Sequence, residues 1–268
     1  MSYGYVPDQP VLHDVSLAAE ANSILYLLGH NGCGKTTLLE ILSGVRKPHT
    51  GEVWLTSADQ QRANLHRMPA HHRAQRVGLV PQIHAPVFAY NVFEVVLMGR
   101  TPYLSFLGVP GQADRAIVDE AIATVGLTAL RERAYTDLSG GERQLTLIAR
   151  GLAQQTDVLL LDEPTAHLDP RNQHLVLETV SRLADERISF IISSHDPNSA
   201  LLYADQVMLM KGGRVVAAGS PNTVLTEEIL SRSYNMPVEV IYNQDQQARA
   251  ILPRRNGHFQ PTRLFEDS

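Results

Sequence analysis

The stretch Gly29-His30-Asn31-Gly32-Cys33-Gly34-Lys35-Thr36-Thr37 constrains this chain more than any other. A glycine, four residues and then Gly-Lys-Thr cradle phosphate only when the loop joins a strand to a helix. Both flanks agree. Ser23 to Leu28 is a short apolar run that reads as a buried parallel strand, and Thr36 to Ser43 carries apolar residues at helical spacing and stops at Gly44. Backbone N–H groups of such a loop and the positive end of the helix dipole hold a polyphosphate, Lys35 reaches its outer phosphates, and the Thr36 hydroxyl is a ligand for Mg²⁺. A glycine-rich turn with a chance lysine is the alternative, and the strand before and helix after disfavour it.

Further strands supply candidate groups for the same site. Val77 to Gln82 runs as a strand ending at a glutamine, Val158 to Glu163 is an apolar strand ending in two carboxylates, and Ile188 to His195 is another ending in histidine. With a helix expected from Pro170 to Glu186, the last two form a right-handed crossover of a parallel sheet, whose ligands lie beyond the strand carboxyl ends. Gln82, Asp162, Glu163 and His195 all fall there. Asp162 is placed to hold Mg²⁺ through its waters, and Glu163 to orient or deprotonate an attacking water; the pair also has the form of a strand-end helix cap. His195 is placed to bond a terminal phosphate, against a purely structural role. Gln206 to Met210 and Arg214 to Ala218 form an edge hairpin. A helix near Thr226 to Ser233 and a strand Val238 to Tyr242 precede a polar, loosely held tail, Asn243 to Ser268.

Ahead of the loop, Val11 to Leu17 alternates like a strand, as does Gly51 to Leu55. Tyr5 is either an exposed aromatic able to stack on a base or an edge tyrosine of the core. The polar stretch Ser57 to Arg76 holds His66, His71 and His72 with no acidic or cysteine ligand beside them, which favours a solvated loop and helix. From Ile83 to about Ala153 the pattern becomes helical: Asn91 to Gly99, Gln112 to Val125 and Gly140 to Ala153. Between the first two lies an aromatic loop, Thr101 to Gly108, either buried locally or offered to a partner, with the partner favoured.

At 268 residues and 44% hydrophobic, the chain can bury a full core. Its net charge of -5 gives no broad basic field, which disfavours nucleic acid as a partner. The lone cysteine, Cys33, excludes an internal disulfide and suits a reducing cytoplasm. It is either a small loop residue or a thiol whose alkylation blocks nucleotide. No apolar run reaches the ~20 residues of a membrane span, and no signal peptide opens the chain.

Leu138-Ser139-Gly140-Gly141-Glu142-Arg143-Gln144 precedes a helix and so presents a second anion-binding N-terminus. With the other motifs, it makes the chain resemble the nucleotide-binding subunits of ATP-binding cassette (ABC) transporters, from about Tyr5 to Tyr242. The resemblance implies an α/β P-loop fold: a RecA-like core with an antiparallel β subdomain and an inserted helical subdomain at about 83–153, all within residues 1–242. It makes Gly29 to Thr37 the Walker A loop, Gln82 the Q-loop glutamine and a Mg²⁺ ligand beside Thr36 and Asp162, and Leu159 to Glu163 the Walker B strand. Ser139, Gly140, Gly141 and Glu142 become the signature, Thr165 to Asp169 the D-loop, His195 the switch histidine and Tyr5 the adenine-stacking aromatic. ATP and Mg²⁺ are then the ligands, bound between two copies whose signatures act in trans, so hydrolysis implies a homodimer. Two features depart from that pattern: the strand expected ahead of Tyr5 is nearly absent, and Ala21-Asn22-Ser23 replaces the usual glycine-glutamate turn.

Tyr90 to Tyr103, with Ser194-His195-Asp196-Pro197-Asn198, is similar to importers of iron-siderophore, haem and cobalamin complexes. That implies integral-membrane permease partners, an indirect link to a substrate-binding protein, and a peripheral place on the cytoplasmic face of the inner membrane. Rival readings are a molybdate, tungstate or other small-ligand transporter, a soluble ABC ATPase of DNA repair or translation, and a non-hydrolysing ATP-binding scaffold.

Overall fold

The computed structural model describes residues 1–6, 9–56, 60–82, 90–105, 108–186, 188–243 and 248–254. Its centre is a six-stranded sheet built from β3 (Ile24–Leu28), β6 (Val77–Val80), β7 (Val158–Asp162), β8 (Ser189–Ser194), β9 (Gln206–Lys211) and β10 (Arg214–Gly219). The spatial order is β10-β9-β3-β8-β7-β6, with β10 antiparallel and the other five strands parallel. The two β1–β2 strands, Tyr3–Val6 and Gln9–Leu12, form one small antiparallel pair, and β4 (Trp54–Thr56) and β5 (Arg62–Asn64) another.

Every residue of β3 is buried, as expected for a strand covered on both faces. Its alternation divides the core. Ile24, Tyr26 and Leu28 face one cluster with Leu161, Phe190 and Ile192, whereas Leu25 and Leu27 face another with Leu160, Ile191 and the helix α1 (Lys35–Leu42). Leu38, Leu39 and Ile41 of α1 are fully buried there; each such side chain contributes about 1.5–3 kcal/mol and together they fix the helix that carries the phosphate loop.

Register then assembles the site. Leu28 of β3 lies beside Ser194 of β8, and Ser193 of β8 beside Asp162 of β7. The first residues beyond these strands, Gly29, His195 and Glu163, therefore emerge in one row. Val80 of β6 pairs with Leu161, which brings Gln82 to the same edge.

The helical lobe consists of α3 (Val92–Leu97), α4 (Gln112–Thr124) and α5 (Gly140–Ala153), beside α2 (Ala70–Arg76). A 3₁₀ turn at Met98–Tyr103 knots it together. The buried Arg100 guanidinium donates to Asp114 at 2.9 Å, to the Ala153 carbonyl at 2.8 Å and to Gln155 at 2.9 Å, and stacks 3.9 Å from the Tyr103 ring centre. The Tyr103 hydroxyl donates to the Gln154 carbonyl at 2.9 Å. Gly99 lies against the Arg150 carbonyl where no Cβ would fit. Of the loop Thr101 to Gly108, expected to favour a partner, the Tyr103 hydroxyl is bonded within the lobe while Thr101, Tyr103 and Ser105 keep exposed surface; Phe106 and Leu107 lie outside the described residues, as do residues 83–89 at the expected start of the lobe.

Several expected boundaries shift. The alternation from Val11 to Leu17 yields a strand only to Leu12, and Gly51 to Val53 stays outside β4, because Met1 and Ser2 thread between these segments: Val15 N–H donates to the Met1 carbonyl at 2.8 Å and Ser2 N–H to the Thr50 carbonyl at 3.0 Å. Beyond α6 (Pro170–Glu186), two short helices, α7 (Pro197–Tyr203) and α8 (Pro221–Val224), are too brief to show helical periodicity in the sequence. After α9 (Glu227–Tyr234), β11 (Val238–Tyr242) pairs with β12 (Ala248–Pro253). The expectation of a loosely held tail from Asn243 therefore fails at Ala248–Pro253, where pairing to β11 and burial of Ile251 in the core hold the chain. Residues 244–247 and 255–268 of that tail lie outside the described residues.

Candidate nucleotide site

The phosphate loop leaves β3 at Gly29 and enters α1 at Lys35. Gly34 adopts φ of +102°, a conformation that L side chains rarely take, and a Cβ there would meet Leu12 Cδ2 at 2.7 Å. At Gly29 a Cβ would collide with the Met210 carbonyl and lie 2.6 Å from Cys33 Sγ. The loop is therefore wedged between β9 and β2, with Asn31, Gly32 and Thr36 exposed above it and Cys33 buried beneath. Burial pushes the Cys33 thiol above its usual range, and the side chain packs in the core beneath the loop. His30 is exposed, its Nδ1 at 2.8 Å from the Asn31 carbonyl oxygen.

Lys35 is 5% exposed. Its ammonium donates to the Gly29 carbonyl at 2.8 Å and the His30 carbonyl at 3.3 Å, and lies 3.5 Å from Glu163 Oε1. The other Glu163 oxygen, Oε2, accepts from Gln82 Nε2 at 3.4 Å and lies 3.2 Å from His195 Nδ1. Three residues expected to act with Glu163 thus converge on its carboxylate. Glu163 itself takes φ of +46°, an uncommon conformation for a non-glycine residue. It is held there by its N–H, which donates to the Ser193 hydroxyl at 2.9 Å and the Ser193 carbonyl at 3.2 Å. The same Ser193 hydroxyl donates to Asp162 Oδ1 at 2.5 Å, so one buried serine joins the Asp162 carboxylate to the Glu163 backbone. Sequence reasoning missed Ser193; its signal was a Ser-Ser pair closing the strand after the apolar run Phe190 to Ile192.

A cleft of about 360 Å³ opens in front of this group, lined by Lys35, Thr36, Thr37, Gln82, Glu163 and the loop glycines, with Val11 and Tyr5 at one side. Tyr5 is half exposed. Its hydroxyl lies 2.9 Å from Thr37 Oγ1 and 3.4 Å from Glu40 Oε2, and the Arg46 guanidinium sits 4.6 Å from its ring centre while pairing with Glu40. Arg46 and Glu40 were not anticipated. For a divalent cation, the Thr36 hydroxyl, the Asp162 carboxylate and the Gln82 amide oxygen are hard oxygen donors of the kind Mg²⁺ prefers, and Ser193 fixes the orientation of the Asp162 group. The donor set fits that ion.

Ser139, Gly140, Gly141 and Glu142 do not line this cleft. Ser139 caps α5: its hydroxyl accepts from Glu142 N–H at 3.4 Å, and its own N–H donates to Glu142 at 2.7 Å. That backbone bond holds the Glu142 carboxyl below its usual range. Gly141 faces Asn172 where a Cβ would come within 2.6 Å of Oδ1. Asn172 in turn donates from N–H at 3.0 Å and from Nδ2 at 2.6 Å to Asp169, whose carboxyl those bonds keep below its usual range. The expected signature and D-loop residues are thus tied to one another, on a surface apart from Lys35.

A glycine loop between strand and helix, facing strand-end carboxylates on a parallel sheet, defines a P-loop protein of the nucleoside-triphosphate-binding class. Within that class the sequence profile of ABC transporters matches residues 12–166, and the chain belongs to the ABC transporter family. It is 40% identical over 249 residues to the hemin import ATP-binding protein HmuV of Rhodococcus jostii, covering 92% of this chain and 82% of that one. The cobalamin import ATP-binding protein BtuD of Halobacterium salinarum is 37% identical over 231 residues, covering 86% of this chain and 56% of that protein. Among solved structures, a metal-chelate type ABC transporter in an inward-facing conformation superposes with a TM-score of 0.77 at 29% identity, covering 92% of both chains.

Proposed function

We propose that the chain is the ATP-hydrolysing subunit of an ABC importer that takes up a metal chelate, in the group that handles haem, iron-siderophore or cobalamin complexes. The observation that carries the enzymatic part is the Glu163 carboxylate, held between Lys35, Gln82 and His195 at the mouth of the phosphate loop. Loop N–H groups and Lys35 bind the β- and γ-phosphates, and Tyr5 offers a ring face to adenine. Glu163 orients the attacking water and accepts its proton, while Gln82 and His195 keep that carboxylate aimed. Thr36, Asp162 and Gln82 would hold Mg²⁺, which when bound would neutralise charge on the phosphates.

The cargo assignment rests on the hemin and cobalamin importers among the relatives. Ser139 and Gly141 stand on a different surface from Lys35, which supports a homodimer in which each copy's α5 N-terminus closes on the other's phosphate loop. No helix among the described residues is long and apolar enough to cross a membrane, so permease subunits would provide the path, a binding protein would deliver cargo to them, and the chain would dock peripherally on the cytoplasmic side of the inner membrane. Copurification of the tagged chain from its native membranes in mild detergent tests this. Recovery of a many-span permease is expected; soluble ATPase activity with no membrane partner would overturn the transport assignment.

A further inference from the structure

His195 is the single residue between Ser194, the last residue of β8, and Asp196, the cap of α7. Asp196 accepts from Asn198 N–H at 3.0 Å and Ser199 N–H at 3.1 Å, and its own N–H donates to Ser194 Oγ at 3.0 Å. Where α7 sits therefore decides where His195 stands. Seven residues make a helix too short to be stable alone, so α7 depends on what it is tied to.

The tie is specific. Asn198 Nδ2 donates to the Ile251 carbonyl at 3.0 Å, and Ile251 N–H donates to Asn198 Oδ1 at 2.8 Å. One side-chain amide thus pairs with both backbone groups of a single residue of β12, as a neighbouring strand would. On its other edge β12 is laddered to β11, with Ile251 opposite Val240. Val238, Val240 and Ile251 all bury their side chains in the same core cluster as Ala200 of α7. The path from the C-terminal hairpin to Glu163 runs through Ile251, Asn198, the Asp196 cap and His195, whose Nδ1 lies 3.2 Å from Glu163 Oε2.

We propose that Asn198 is a positioning residue for ATP hydrolysis: by clasping β12 it braces the turn that carries His195, which makes the C-terminal hairpin a working part of the hydrolytic site. This rests on the proposed function, and the brace concerns turnover, not nucleotide affinity, because neither Asn198 nor β12 lines the cleft. A brace made this way reaches Glu163 through His195.

The test is a double-mutant cycle in the purified full-length chain, with Mg·ATP turnover, ATP affinity and melting temperature measured for Asn198→Ala, Asn198→Asp, His195→Ala and Asn198→Ala/His195→Ala. Asn198→Asp is nearly isosteric but sets a carboxylate oxygen against the Ile251 carbonyl, so it breaks the clasp with little change of volume. Each Asn198 variant is expected to lose about tenfold in kcat, with ATP affinity within about twofold of the parent. In the His195→Ala background the Asn198→Ala change should cost almost nothing more. Full tenfold additivity in the double variant, or parental kcat in both Asn198 variants, would overturn the brace. Absence of turnover in the unaltered chain, with or without ATP binding, would remove the proposed function and this inference with it.

Discussion

Lys35 and Ser139 both stand at helix N-termini, yet their surroundings are opposite. Lys35 is 5% exposed, and its ammonium, the Glu163 carboxylate, Gln82 and His195 are joined by contacts made within this one chain. Ser139 and Gly140 are exposed; the hydrogen bonds of the α5 N-terminus go to its own cap, and Gly141 leans on Asn172. One region is organised inward around a cleft, the other presented outward with nothing of that cleft beside it. The contrast teaches that a half-site can be built completely by strand register, whereas an outward N-terminus needs a surface brought to it, here attributed to a second copy.

The largest test of this contrast is Lys35→Ala. Removing a charge-assisted donor from the phosphate site should weaken ATP binding by about 100-fold or more, read by calorimetry; unchanged affinity would mean that the inward region is not the nucleotide site. Next is Arg100→Ala, which leaves Asp114 without its buried partner and should cost about 3 kcal/mol in unfolding free energy. The Arg100 guanidinium holds the Asp114 carboxyl below its usual range, so this contribution is complete above the ordinary carboxylate pKa and is lost as pH falls through the depressed value. Denaturation at neutral pH should therefore show a larger penalty than denaturation in acid, and an equal penalty at both would break the pairing. Ser139→Ala sharpens the outward half: it should cost about 1 kcal/mol of cap stability, leave ATP affinity in place and lower turnover about tenfold. Loss of affinity instead would place Ser139 at the cleft of its own chain. Smallest is Tyr5→Ala, expected to weaken ATP about fivefold while leaving tripolyphosphate binding unchanged, since only the base meets the ring.

What the sequence disclosed follows the same division between local and distant. The phosphate loop was legible because its glycines, lysine, strand and helix lie within about twenty consecutive residues, and Asp162, Glu163 and His195 because apolar strands announce their own ends. Ser193 was not, since its hydroxyl acts on Asp162 across a separation of 31 residues. Nor was the clasp between Asn198 and Ile251, 53 residues apart. The hairpin strand β12 carries a weak pattern, Ala-Arg-Ala-Ile-Leu-Pro, and becomes a strand through β11 and Asn198 rather than through its own propensity. In the helical lobe Arg100 was not anticipated, because no sequence pattern shows that a guanidinium will satisfy its donors on the far end of α5.

The most direct measurement of the central claim compares Mg·ATP binding and hydrolysis by the unaltered chain and by Glu163→Gln. With Glu163 as the carboxylate that orients and deprotonates water, the variant should bind ATP at least as tightly and turn it over about 100-fold or more slowly. Turnover by Glu163→Gln at the rate of the unaltered chain would contradict the account, because the convergence of Lys35, Gln82 and His195 on that side chain would then serve no chemical step.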